Sequence, residues 1–176
     1  MLKRSLLAAA FLAAAFAPSL ASANPFVVDS LANASQNSPL DTGLILSAGT
    51  TYDFTVQDPT TTIWHAGNDD PCSRASTAAG ITSCFGQLTQ DGFTANYGAL
   101  VGKTASNGYF LIGEGTSLSG LSGDLFLMYW DTVFTDNSGT QTVTVSPRET
   151  GVPEPLSLAL LGAGLAGVGA IRRRKA

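Results

Sequence analysis

Thr50-Thr51-Tyr52-Asp53-Phe54-Thr55-Val56 decides how the chain is read. Tyr52, Phe54 and Val56 fall on one side of an extended backbone, and Asp53 and Thr55 fall on the other. Apolar and polar residues alternating with period two mark a strand packed on one face only. Asp58-Pro59 stops it, because proline brings no N–H to a ladder. Working outward, residues 44–47 read as a buried-type strand that turns at Ala48-Gly49 into this one, and Phe26-Val27-Val28 begins a short strand. Downstream, residues 98–103 and 109–113 are two strands joined through Ser106-Asn107-Gly108, a hairpin-type turn. Residues 124–130 form the most hydrophobic strand, and residues 140–146 the last, with Val143 and Val145 alternating against threonines. Many short strands with glycine-rich turns and no amphipathic helix predict an all-β domain, a small sandwich or jelly roll.

Both ends of the chain differ from this middle. Residues 1–23 read as a secretory signal peptide. Lys3 and Arg4 form the basic start, residues 6–16 the apolar core, and Ala21-Ser22-Ala23 a small-residue cleavage site before Asn24. At the other end, residues 156–171 are uncharged, with Ser157 their single hydroxyl residue, and Arg172-Arg173-Arg174-Lys175 follow. As a helix this span is roughly 24 Å long, short of a hydrocarbon core of about 30 Å by a margin that a thin bilayer or a snorkelling Arg172 would close. The basic cluster belongs on the cytoplasmic side, which puts the preceding domain outside. Gly162-Ala163-Gly164-Leu165-Ala166-Gly167 spells a dinucleotide-binding pattern, but no strand precedes it and the required acidic partner is absent downstream.

Pro153-Glu154-Pro155, the apolar span and Arg172, Arg173 and Arg174 together resemble the PEP-CTERM sorting signal over residues 152–176. That resemblance implies an exosortase as processing partner and a Gram-negative host that makes exopolysaccharide. It further implies an inner-membrane tether that is later cut, followed by release to the cell surface or extracellular matrix.

What remains once both ends are gone is one domain, residues 24–149. Between residues 24 and 151 lie Arg74, Lys103 and Arg148 against twelve of the thirteen acids, a net charge of −9. Such a domain repels nucleic acid and anionic lipid and suits divalent cations. Cys72 and Cys84 form an even pair in an exported segment, so a disulfide between them is expected. It would pin the long polar stretch of residues 60–89, which also carries Trp64, His65, Asp69 and Asp70. His65 has no GxSxG elbow or activated cysteine to work with, so the chain is not read as an enzyme.

Oxygen ligands gather late in the chain. Trp130-Asp131 ends a strand, and Asp136-Asn137-Ser138-Gly139 follows shortly. Asp131, Asp136 and Asn137 are hard donors of the kind calcium takes, six to eight at a time with carbonyls and water. The same four residues also make a good hairpin turn without any ion. Residues 97–103, residues 109–113, the 124–131 strand and Asp136-Asn137-Ser138-Gly139-Thr140 resemble the PA-IL-like galactophilic lectins, with similarity over residues 44–145. The resemblance implies a β-sandwich in which calcium bridges protein and sugar hydroxyls, with Asp131, Asp136 and Asn137 at matched positions. The loop from Asp131 to Asp136 is shorter than in that family, leaving Thr135 as the nearest match to its threonine ligand, and Asp replaces one Asn. His65 lies in the loop that touches sugar there.

The expected function is a calcium-dependent module for extracellular polysaccharide or galactose-type sugars. Asp131, Asn137, His65 and the aromatics Trp64 and Trp130 are its expected contacts. The alternative is a structural matrix or surface protein that keeps the sandwich without a working site. A polysaccharide hydrolase ranks third and would need two carboxylates facing each other across a cleft.

Overall fold

A computed structural model describes residues 23–60, 64–66, 76–82 and 85–148. The leader, Asp69, Asp70, the Cys72–Cys84 pair and the tail with its 156–171 span lie outside these residues. Among the described residues no helix is long and apolar enough to cross a membrane.

The described chain is all β. Its strands are β1 (Asn24–Asp29), β2 (Leu40–Leu46), β3 (Tyr52–Val56), β4 (His65–Ala66), β5 (Gln87–Gln90) and β6 (Phe93–Asn96), then β7 (Leu100–Thr104), β8 (Gly108–Leu111), β9 (Gly115–Leu118), β10 (Gly123–Tyr129), β11 (Asn137–Ser138) and β12 (Thr140–Pro147). One four-stranded sheet runs β1-β12-β3-β9 and a second runs β2-β10-β7-β8, with β4–β11 and β5–β6 as two-stranded ribbons. All ladder pairs are antiparallel.

The period-two stretches supply the core, as their spacing requires. Phe54 and Val56 of β3, Val143 and Val145 of β12 and Val28 of β1 are buried from one sheet. Leu46, Leu100, Leu125, Leu127 and Tyr129 meet them from the other in a single cluster. Each such side chain contributes roughly 1.5–3 kcal/mol on burial. The rings of Phe54 and Phe110 meet across the interface, 5.7 Å apart and edge-on. Two sheets sharing one core make a sandwich, as the alternation predicts.

β10 reads as the most hydrophobic strand because both its faces are covered. Leu125, Leu127 and Tyr129 face the other sheet, while Met128 and the following Trp130 lie in a second cluster with Leu88, Ala95, Ala99 and Val101. The cover on that side is the β5–β6 hairpin, which the sequence reading leaves inside or beside a long loop. Its turn, Asp91-Gly92, has both residues in the left-handed region (φ 48° and 80°), the geometry of a tight primed turn. Other parts of residues 60–89 are structured too. Trp64, Ser76, Ala78 and Ile81 are buried, and Trp64 bridges to Ser76 in antiparallel fashion. β9, also unforeseen, sits at a sheet edge and has only Leu118 as a large apolar residue, so periodicity gives no signal for it.

Gly102 shows how tightly the inner face is filled. A Cβ there would lie 2.3 and 2.4 Å from ring atoms of Phe110, its direct partner across the β7–β8 ladder. Gly102→Ala must push that ring off Phe54. It should lower the urea midpoint by an amount equivalent to about 1–3 kcal/mol, the usual cost of overpacking. A second change, Phe110→Leu, should restore part of the loss, whereas an unchanged midpoint in Gly102→Ala would refute this packing.

Candidate functional site

The last residues of β10 build the site. Tyr129 and Trp130 are each fully buried, one on each side of the sheet, so Asp131 directly after them is drawn under the surface, with 5% of its area exposed. Its backbone is clamped from the segment after β1. The Ser35 hydroxyl donates to the Asp131 carbonyl (2.7 Å) and accepts from the Asp131 N–H (3.2 Å), and Gln90 Nε2 donates to Ser35 Oγ (2.9 Å). Ser35 N–H in turn donates to the Tyr129 carbonyl, and Tyr129 N–H to the Asn33 carbonyl, stitching this segment parallel to the strand end.

Burial pushes the Asp131 carboxyl above its ordinary value of 3.8. The Val133 N–H, the Asn137 side chain and the Thr132 backbone hold it partly back, and the negative charge of Asp136 adds to the rise. The Val133 N–H sits 3.2 Å from Asp131 Oδ1. Burial also raises Tyr129, against the pull of its hydroxyl contact with Ser76 Oγ at 3.1 Å, and Asp131 and Asp136 add to that rise as well. Asp131 and Asp136 thus share one electrostatic neighbourhood, and Asp136 is exposed there.

Asn137 completes the group. It is 5% exposed, its N–H donates to the Phe134 carbonyl (3.1 Å), and Nδ2 donates to the Ser30 carbonyl at 3.3 Å. Its Oδ1, like the fully buried Ser30 Oγ, has no hydrogen-bond partner in the protein. Burying an unpaired acceptor costs about 1–3 kcal/mol. A neighbouring carboxylate raised by burial and an orphaned amide oxygen are both groups that a hard cation would satisfy, so the donor set fits calcium. Among the described residues no cluster of three or more His, Cys, Asp or Glu side chains occurs, so further ligands from these residues would be amide, hydroxyl or carbonyl oxygens, with water beside them.

The structure brings His65 to the same place. In the β4–β11 ribbon His65 pairs with Ser138, and Ala66 with Asn137, so the exposed histidine stands beside the Asn137 turn. The aromatic expectation needs correcting. Trp64 is fully buried, with its indole N–H on the Thr77 carbonyl (3.3 Å) and its ring 4.5 Å from that of Tyr129. Trp130 is equally buried, its indole N–H on the Leu88 carbonyl at 3.0 Å. Neither ring has a face to offer a sugar. Sequence reading missed Ser30, Ser35 and Gln90. Ser30 and Ser35 lie in a polar segment with no periodicity. Gln90 sits beside the Asp91-Gly92 turn signal, which was there to be used.

A family model described as the PEP-CTERM protein-sorting motif matches residues 151–175. No curated protein matches the chain. Among solved structures, one described as "EclA N-terminal domain; PllA-like lectin" is similar, with a TM-score of 0.49 and 17% identity over 70% of this chain and 95% of that one.

The raised carboxyl has a definite consequence for stability. A native pKa above the unfolded value means that the folded state holds the proton more tightly, so stability from this group is present below pH 3.8 and is lost as pH rises through the native value. Without divalent cations, urea unfolding from pH 4 to 7 should show wild type losing stability relative to Asp131→Asn. Parallel pH profiles would contradict the buried-carboxylate assignment. The tail match is what places the molecule in the cell: the chain carries a PEP-CTERM sorting motif, the mark of an exported protein held by its C-terminal tail until an exosortase processes it.

Proposed function

We propose that the exported domain is a non-catalytic, calcium-dependent carbohydrate-binding module that works at the cell surface or in the exopolysaccharide matrix of a Gram-negative bacterium. The observation that carries this reading is the orphaned Oδ1 of Asn137 beside the buried Asp131 carboxylate. The Asn137 oxygen is buried without a donor, and burial disfavours the Asp131 carboxylate despite its backbone donors; a cation would relieve both. Asp131, Asn137 and the exposed Asp136 would hold the metal. Calcium, when bound, offers further coordination positions to neighbouring sugar hydroxyls. His65, across the ribbon from Ser138, is placed to contact a sugar seated there. With Trp64 and Trp130 in the core, recognition rests on coordination and hydrogen bonds, without ring stacking.

A second reading is favoured by that same burial of the two indoles. The domain would then be a structural matrix or surface protein that keeps the sandwich and binds no sugar. The two readings part on one experiment, calorimetry and thermal unfolding of the 24–149 domain with calcium, followed by a glycan array. The first reading predicts calcium heat and a higher Tm. At a hundredfold excess over Kd the added stability is about 2.7 kcal/mol. Both effects should vanish in Asp131→Ala and fall in Asn137→Ala, and glycan binding should be abolished by chelation. No heat, and an array blank with and without calcium from a folded domain, would leave the structural reading.

A further inference from the structure

The tail and the candidate site leave the sandwich from opposite ends of the same strand. Asn137, Ser138 and Gly139 precede β12, whereas Pro147 and Arg148 close it on the tail side. Eight residues of β12 separate the two, about 26 Å at strand rise. The partners of β12 fix the same polarity. At the site end Asp29 pairs with Thr140, and Ser30 N–H donates to the Gly139 carbonyl. At the tail end Asn24 pairs with Val145, and Tyr52 with Pro147. The second sheet agrees, because Asp131 follows the end of β10 while its beginning, Gly123, pairs with Leu46. Leu46 shares a groove with Asn24, Ile45, Tyr52, Val145 and Pro147 at the tail end.

The end of β12 is held by surface bonds there. Arg148 N–H donates to the Thr51 carbonyl (2.7 Å), and its guanidinium bonds Asp53 (2.8 Å) and the Ser117 hydroxyl (2.8 Å), tying the chain end to β3 and β9. From there to Leu156, where the apolar span begins, residues 149–155 intervene, a reach of at most about 28 Å. The leash leaves from the tail end of β12, so that end is the one held nearest the anchor. We propose that, while tethered, the domain stands with its tail end against the membrane and its Asp131–Asn137 end facing away. The site is then presented to polymers of the extracellular space before the tail is cut, and is withheld from the headgroups of its own bilayer. This rests on the carbohydrate-binding reading for what the site takes, though not for where it faces.

The test is the full chain from Asn24 to Ala176, inserted through its tail into liposomes whose surface carries an energy-acceptor dye. One protein has a genetically encoded fluorescent amino acid at Ser47, exposed near the tail end, and another has it at Val133, which is 61% exposed beside Asp131. Stronger transfer from Ser47 than from Val133, consistent with an offset of about 26 Å, is expected. Equal or reversed transfer would overturn the orientation. In a second arm, calcium heat should be the same for the liposome-held chain and for the domain freed of its tail. Heat from the freed domain alone would also overturn the orientation. Heat from neither, with the label offset intact, would sink the carbohydrate reading and leave the orientation standing.

Discussion

A carboxylate placed directly after two fully buried aromatics is drawn under the surface. Tyr129 locks into the inter-sheet core against Trp64, and Trp130 locks under the β5–β6 hairpin. The next residue is Asp131, so its position is imposed by packing on both faces of β10. The protein then meets the cost of that burial with backbone donors, chiefly the Val133 N–H, and holds the peptide itself through Ser35 and Gln90. The remaining mismatch lies at Asn137, where an acceptor is buried without a donor. Both the electrostatics and the chemistry of this end of the sandwich follow from that constraint.

The sandwich itself was legible because period-two alternation is a direct record of a half-buried strand. Residues 50–56 and 140–146 carry it plainly, and they become β3 and β12, neighbours in one sheet. Asp131, Asp136 and Asn137 stand out in the sequence as hard oxygens, and the fold brings them near one another, with His65 paired to the adjacent Ser138. The aromatics were misjudged for a physical reason. Trp64 lies in a polar stretch, which suggests exposure, yet its pairing with Ser76 and its contact with Tyr129 are long-range facts absent from the local pattern. The β5–β6 hairpin is the opposite case. Asp91-Gly92 is a strong turn signal, overshadowed by the irregular residues before it.

The tail and the domain are linked by more than sequence order. β12 begins at the candidate site and ends at the clamp of Arg148 on Asp53 and Ser117. Asp53 is held below its ordinary carboxylate value by the Ser117 hydroxyl first and Arg148 next. On the open surface this is a weak fastening whose effect is lost as pH falls. Its importance is positional: it fixes the tail-side end of β12, just before the sorting motif of residues 151–175. The sorting motif and the proposed binding site therefore lie toward opposite ends of β12.

The proposed function turns on Asp131 as a buried carboxylate that takes up a cation. Carbon-13 NMR of the Asp131 side-chain carboxyl, titrated with pH in the presence and absence of calcium, tests it most directly. Without calcium the carboxyl should titrate above 3.8, and with calcium its midpoint should fall below that value because the ion competes with the proton. A midpoint at or below 3.8 without calcium, or one that calcium leaves unmoved, would contradict it.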